Sequence, residues 1–210
     1  TNIPEPVLAA MHRPAIEIYK GELVGITTSC LADLKKVFGT EGYTYIYISN
    51  GHGAWEAALT NTLSRGDKVL VLQSGRFAVG WGEMASMMGV EVEVLEQDER
   101  KAVDPAAVEA RLKAPDAADI KAVLVVQIDT ASGVLNDVPA IRRAIDAAGH
   151  DALFMVDTIA SLGTTPFDME DWGVDVAVTG SQKGLMSPPG LSFVAAGPKA
   201  ARAHQTADLR

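Results

Sequence analysis

Ala122–Asp157 reads AVLVVQIDTASGVLNDVPAIRRAIDAAGHDALFMVD. It opens on a continuous apolar run, Ala122–Gln127, which is strand-length and rich in Val. Asp137 then stands where a helix N-cap belongs, apolar positions recur through Ala148, and Gly149 closes the segment. Leu153–Val156 is a second short apolar run. Strand, helix, strand, with both strands apolar on either side, is the unit of a parallel sheet covered on both faces by helices.

The same alternation extends in both directions. Upstream, a helix around Gly25–Phe38 ends at Gly39 and is followed by a β-rich run, Tyr45–Ile48. A helical Ala54–Leu63, a buried strand Lys68–Leu72, a helix Phe77–Met88 and a strand Val90–Leu95 come next. Asp104-Pro105 supplies an N-cap with proline at the first helical position, and the helix continues through Leu112. Downstream, Val174–Val178 and Leu191–Ala195 complete seven strand candidates, and Pro198–Arg210 reads as a helix. Only Thr179–Gly190, containing Pro188-Pro189-Gly190, joins the last two strands. That is short for a helical crossover, so the last strand is predicted antiparallel to its neighbour.

The 210 residues are 48% hydrophobic and 21% charged, within the range of a globular domain with a sizeable core. The net charge of -9 argues against a nucleic-acid partner, which needs a Lys/Arg surface. Cys30 is the single cysteine, so the chain forms no internal disulfide, and a reducing, cytoplasmic setting is expected, with a peroxisome-like lumen left open. No apolar run approaches the ~20 residues of a membrane span, so no membrane partner is expected. The four His and one Cys are scattered without metal-ligand spacing. The first residue is Thr1 rather than Met, and the chain is expected to be a piece of something longer.

Ligands of open α/β sheets bind beyond the carboxyl ends of the strands, and three such places carry chemistry. Ser49-Asn50-Gly51-His52-Gly53-Ala54 joins a strand to a helix through two glycines, a turn that brings backbone N–H groups and a helix N-terminus to an anion. Asp157 ends a buried strand, where an unpaired carboxylate is costly, so a cationic partner is expected. Lys183, in Thr179-Gly180-Ser181-Gln182-Lys183-Gly184, follows another apolar strand, where burial favours a neutral, nucleophilic amine. Each has a plain alternative: an ordinary βα turn, a helix N-cap, a surface lysine. Taken together, a phosphate cradle, a carboxylate and an amine are the parts that pyridoxal phosphate needs.

Val156–Gly163, Gly180–Gly184 and Ser187-Pro188-Pro189-Gly190 resemble the class V aminotransferases, and within them the alanine/serine–glyoxylate aminotransferase group. The opening Thr1-Asn2-Ile3-Pro4 and the Asn50–Gly53 turn fit the same pattern. The resemblance implies a fold type I large domain, a three-layer α/β/α structure with a mainly parallel seven-stranded sheet and one antiparallel strand. It implies a lead-in segment and helix over 1–43, a cofactor domain over 44–198, and over 199–210 the start of a helix toward a smaller C-terminal domain. Lys183 is then the Schiff-base lysine and proton shuttle, and Asp157 the partner of the pyridine nitrogen. Phe77, where many relatives carry Trp, stacks on the ring, Ile159 covers its other face, and Thr130 approaches the ring hydroxyl. Asn50, Gly51, His52, Ser181 and Gln182 surround the phosphate. Transfer of an amino group from a small amino acid to glyoxylate or another 2-oxo acid, in a homodimer with a shared active site, follows from the same resemblance.

Trp55, Trp81 and the methionines Met84, Met87 and Met88 read as packing. Three other functions compete. A cysteine desulfurase or lyase of the same fold needs a catalytic cysteine loop, and Cys30 lies far upstream of the site elements. A nucleotide-binding oxidoreductase needs GxGxxG, which is missing. A non-catalytic dimerisation domain has no use for both Asp157 and Lys183.

Overall fold

The computed structural model describes residues 2–98 and 100–209; Thr1 of the opening motif and Arg210 lie outside the described residues. In chain order the elements are α1 (Glu5–Met11), α2 (Glu22–Phe38), β1 (Tyr43–Ile48), α3 (Gly51–Thr62), β2 (Lys68–Leu72), α4 (Arg76–Met87), β3 (Glu91–Leu95), α5 (Pro105–Leu112), β4 (Ile120–Val126), β5 (Ile128–Asp129), β6 (Val134–Leu135), α6 (Val138–Ala147), β7 (Leu153–Asp157), β8 (Val176–Gly180), β9 (Leu191–Ala196) and α7 (Pro198–His204).

Seven strands form one sheet in the order β1-β9-β8-β7-β4-β2-β3, and β5 pairs with β6 in a separate two-stranded ladder. The neighbours β8-β7-β4-β2-β3 are all parallel, whereas β9 runs antiparallel to both β8 and β1. The short 181–190 connection thus has the consequence read from its length. It also seats β9 between β8 and the edge strand β1, an order that local sequence does not encode.

Strand alternation sorts the core into two layers. Val123, Val125, Phe154 and Val156 point to one side with Phe38, Val108, Leu112, Ile141 and Ile145. Leu124, Val126, Leu153 and Met155 point to the other with Trp55, Leu59, Trp81 and Ala85. Helices α2, α5 and α6 therefore cover one face, and α3 and α4 the other. Each large apolar side chain buried this way contributes roughly 1.5–3 kcal/mol. The period of two also puts Asp157 on the side of Met155, the face that α3 covers. Leu34 and Phe38 of α2 are buried in the core, so the end of the lead-in segment packs as part of this domain.

Several boundaries differ from expectation. Helix α3 begins at Gly51 rather than Ala54, because Asn50 Oδ1 accepts from the His52 and Gly53 amides and caps it. Strand β7 runs on to Asp157. Strand β8 begins at Val176 rather than Val174, since the Val174 amide is spent on the Met169 carbonyl in the preceding turn. Helix α1 and the β5–β6 ladder had no reading in the sequence.

Candidate active site

The carboxyl ends of β1, β4, β7 and β8 converge on a cavity of about 180 Å3, lined by residues from all four loops that leave them and by Phe77 of α4. Asn50, Gly51, His52, Phe77, Thr130, Asp157, Ile159, Gln182 and Lys183, each singled out from the sequence, share this one cavity. Ser181 stands outside its lining: it is buried, its hydroxyl donates to the Pro188 carbonyl at 2.6 Å, and it closes the 181–190 loop.

Asp157 is 2% exposed. Its Oδ1 accepts from the Ile159 amide at 2.6 Å and its Oδ2 from the Trp55 indole N–H at 2.7 Å. Burial pushes its carboxyl up to about 7; the Ile159 amide and the Trp55 indole pull the other way, the charge of Asp129 adds to the rise, and Lys183 opposes it. The carboxyl is thereby balanced between charged and neutral, and a cation placed beside it would tip it to the charged form.

Lys183 sits half-buried in the turn after β8 and, among the described residues, takes part in no ion pair. Its loop is pressed against the turn after β7. A Cβ on Gly184 would lie 2.1 Å from the Leu162 carbonyl oxygen, so only glycine permits this approach, and it sets Lys183 beside the end of β7. Two residues on, Met186 has φ 51°, a left-handed conformation that costs a non-glycine residue about 1–2 kcal/mol. The loop is held in a shape that its own preferences do not favour.

The Asn50–Gly53 turn is built for equally close contact. A Cβ on Gly51 would lie 2.4 Å from Ile159 Cδ1, so the absence of a side chain lets the α3 N-terminus meet the residue that roofs the cavity. Gln182 Oε1 is buried and has no hydrogen-bond partner among the described residues. Carboxamide O and N are interchangeable by a flip, so this end of Gln182 can present either an acceptor or a donor.

Two residues escaped the sequence reading. Trp55 was read as packing; it lines the cavity and is the side-chain donor to Asp157, 102 residues away. The available signal was its place one helical turn after Gly51, on the same face of α3. Asp129 is fully buried; Oδ2 accepts from the Phe77 and Ala78 amides at 2.9 and 3.0 Å, and Oδ1 from the Ala131 amide at 3.0 Å. It ties the N-terminus of α4, which carries Phe77, to the loop that carries Thr130, and its charge suits a helix N-terminus. Its position immediately before Thr130 was the signal.

An amine, a carboxylate and a glycine turn thus share the carboxyl rim of one mainly parallel α/β sheet. Residues 6–206 match the family described as aminotransferase class-V, and the chain belongs to it. It is 44% identical over 204 residues to a serine–glyoxylate aminotransferase of Methylorubrum extorquens, covering 97% of this chain and 51% of that protein. It is 42% identical to an L-aspartate–glyoxylate aminotransferase of Paracoccus denitrificans, covering 100% of this chain and 53% of that one. Among solved structures, an aspartate aminotransferase of Thermus thermophilus superposes with a TM-score of 0.89 at 32% identity, over 96% of this chain and 56% of its own. The chain spans about half the length of the curated relatives it matches.

Proposed function

We propose that the protein is a pyridoxal-phosphate aminotransferase that moves an amino group from a small amino acid to glyoxylate or another 2-oxo acid. The observation that carries this reading is the meeting of Lys183 and Asp157, from the ends of different strands, in one cavity roofed by Phe77 and Ile159. The unpartnered end of Gln182 and the tight glycine turn at the α3 N-terminus suit a phosphate. Glyoxylate as acceptor is supported by the names of the relatives above, as are serine and aspartate among the donors.

Bound here, pyridoxal phosphate supplies an electron-withdrawing ring that acidifies the Cα–H of an attached amino acid. Lys183 would hold the cofactor covalently and, once released by substrate, carry the proton taken from Cα. Asp157 would hold a proton on the ring nitrogen, a role that requires its charged form. Phe77 and Ile159 would hold the ring faces, Thr130 the ring hydroxyl, and Gly51, His52 and Gln182 the phosphate, with Asn50 presenting the turn. The substrate-carboxylate arginine and a partner subunit's share of the phosphate site would come from outside this chain, in a homodimer. Cys30 lies exposed on α2 and is absent from the cavity lining, which favours transamination over desulfuration.

The test is an absorbance spectrum of the purified protein with pyridoxal phosphate, followed by borohydride reduction and peptide mapping. The expected result is a covalent adduct on Lys183 that Lys183→Ala lacks; an adduct that persists in the variant would sink the assignment.

A further inference from the structure

Two indoles lie stacked beneath the cavity, with Trp55 and Trp81 centroids 5.9 Å apart and planes 13° from parallel. Both are buried. Their polar edges differ. Trp81 Nε1 has no hydrogen-bond partner among the described residues, so Trp81 works as an apolar brace. Trp55 Nε1–H is spent on Asp157 Oδ2. On its other sides Trp55 meets the edges of His52, at 4.7 Å between centroids, and Phe77, at 6.4 Å. An indole gripped by three rings cannot swing aside to leave its acceptor.

We propose that Trp55 is the positioning residue for Asp157: its indole N–H holds the carboxylate in orientation and favours its charged form over the neutral one, so that it can retain a proton on the cofactor's ring nitrogen. This rests on the reading of the cavity as a pyridoxal-phosphate site. Among the described residues Asp157 accepts from two donors, and one is a backbone amide, which no substitution short of proline removes. Trp55 is the side chain through which the sequence sets the state of this acid. The other charged groups acting on the carboxyl are Asp129, which disfavours its ionised form, and Lys183, which favours it. A charge-assisted hydrogen bond in a buried site is among the stronger contacts available to oppose burial.

Three measurements test this. In the cofactor-free protein, the Trp55 indole 1H–15N resonance should shift with pH as Asp157 titrates, and Asp157→Asn should abolish that shift. The Asn control assigns the change to the carboxyl rather than to the adjacent His52. With pyridoxal phosphate, Trp55→Phe, which keeps an aromatic ring and deletes the donor, should weaken cofactor binding roughly tenfold or more and move the pH at which the bound cofactor's absorbance changes. Trp81→Phe should lower thermal stability and leave that pH unmoved. A Trp55 resonance flat across the titration overturns the inference even if Trp55→Phe fails to fold. Equal cofactor affinity and pH profile in wild type and Trp55→Phe overturns it as well, with the site reading intact. Failure of the wild type to take up pyridoxal phosphate sinks the site reading, and this inference with it.

Discussion

The two ends of the sheet treat their acids in opposite ways. At the carboxyl rim, Asp157 and Asp129 face amides and an indole, and the nearby Lys183 is left out of any ion pair among the described residues. At the amino end, Asp175 accepts from the Phe154 amide at 2.8 Å and meets Lys199 at 3.9 Å, while Lys199 also reaches Asp151 at 3.1 Å and the Ala152 carbonyl. Glu93, in β3, is matched by Arg111 and Lys68, and the Arg111 guanidinium holds its carboxyl below the usual range. One end spends its cations on its own acids. The other keeps a cation and an acid available to a ligand; burial raises the carboxyl of Asp175 as well as that of Asp157, so the difference lies in where the cations are placed.

The largest test of this contrast is Lys183→Ala. If the free amine is the reacting group, transamination by the protein should fall roughly a thousandfold or more, with folding unaffected by circular dichroism. Asp157→Asn should lower turnover by roughly a hundredfold or more, yet stabilise the cofactor-free fold at alkaline pH. The unfolded carboxyl titrates near 3.8 and the folded one near about 7, so folding takes up a proton between those values. Stability from this group is complete below the lower value, declines as pH rises through the window, and is gone above it. The rise corresponds to roughly 4 kcal/mol as an upper bound, and urea unfolding at pH 5 and pH 8 would read it as a variant whose advantage grows with pH. A variant no more stable than wild type at pH 8 would remove the strain assigned to this end.

Smaller effects sharpen the comparison. Gly184→Ala must displace the Leu162 carbonyl or the Lys183 loop, and should cost about 1–3 kcal/mol in denaturant unfolding while also weakening cofactor binding. At the amino end, Lys199→Ala removes partly exposed ion pairs and should cost only about 1 kcal/mol, with cofactor affinity unchanged. A cofactor defect in Lys199→Ala would mean that the two ends are not independent.

Reading along the chain picked out most of the polar residues that line this cavity because strand ends are local features. Asp157 ends one apolar run and Lys183 follows another, and the rule that ligands gather at carboxyl ends needs no knowledge of strand order. The resemblance then added Phe77, Thr130 and Ile159, whose local patterns are those of ordinary core and loop. Trp55 and Asp129 were missed because their partners are distant: a buried tryptophan and a capping aspartate look alike in sequence whether or not they serve a site. Ser181 shows the converse. It sits two residues before Lys183, yet its hydroxyl is used by the Pro188 carbonyl across the same loop.

The period of apolar residues, the caps and the short final connection were enough to establish a mainly parallel α/β sheet with one reversed strand, since these depend on neighbours a few residues apart. Which strands lie side by side, which helix face meets Asp157 and which donor answers it were decided only when the layers packed. Those contacts join residues about a hundred positions apart, as Trp55 and Asp157 are. Their energy comes from burial and exclusion of water, which no stretch of chain achieves alone.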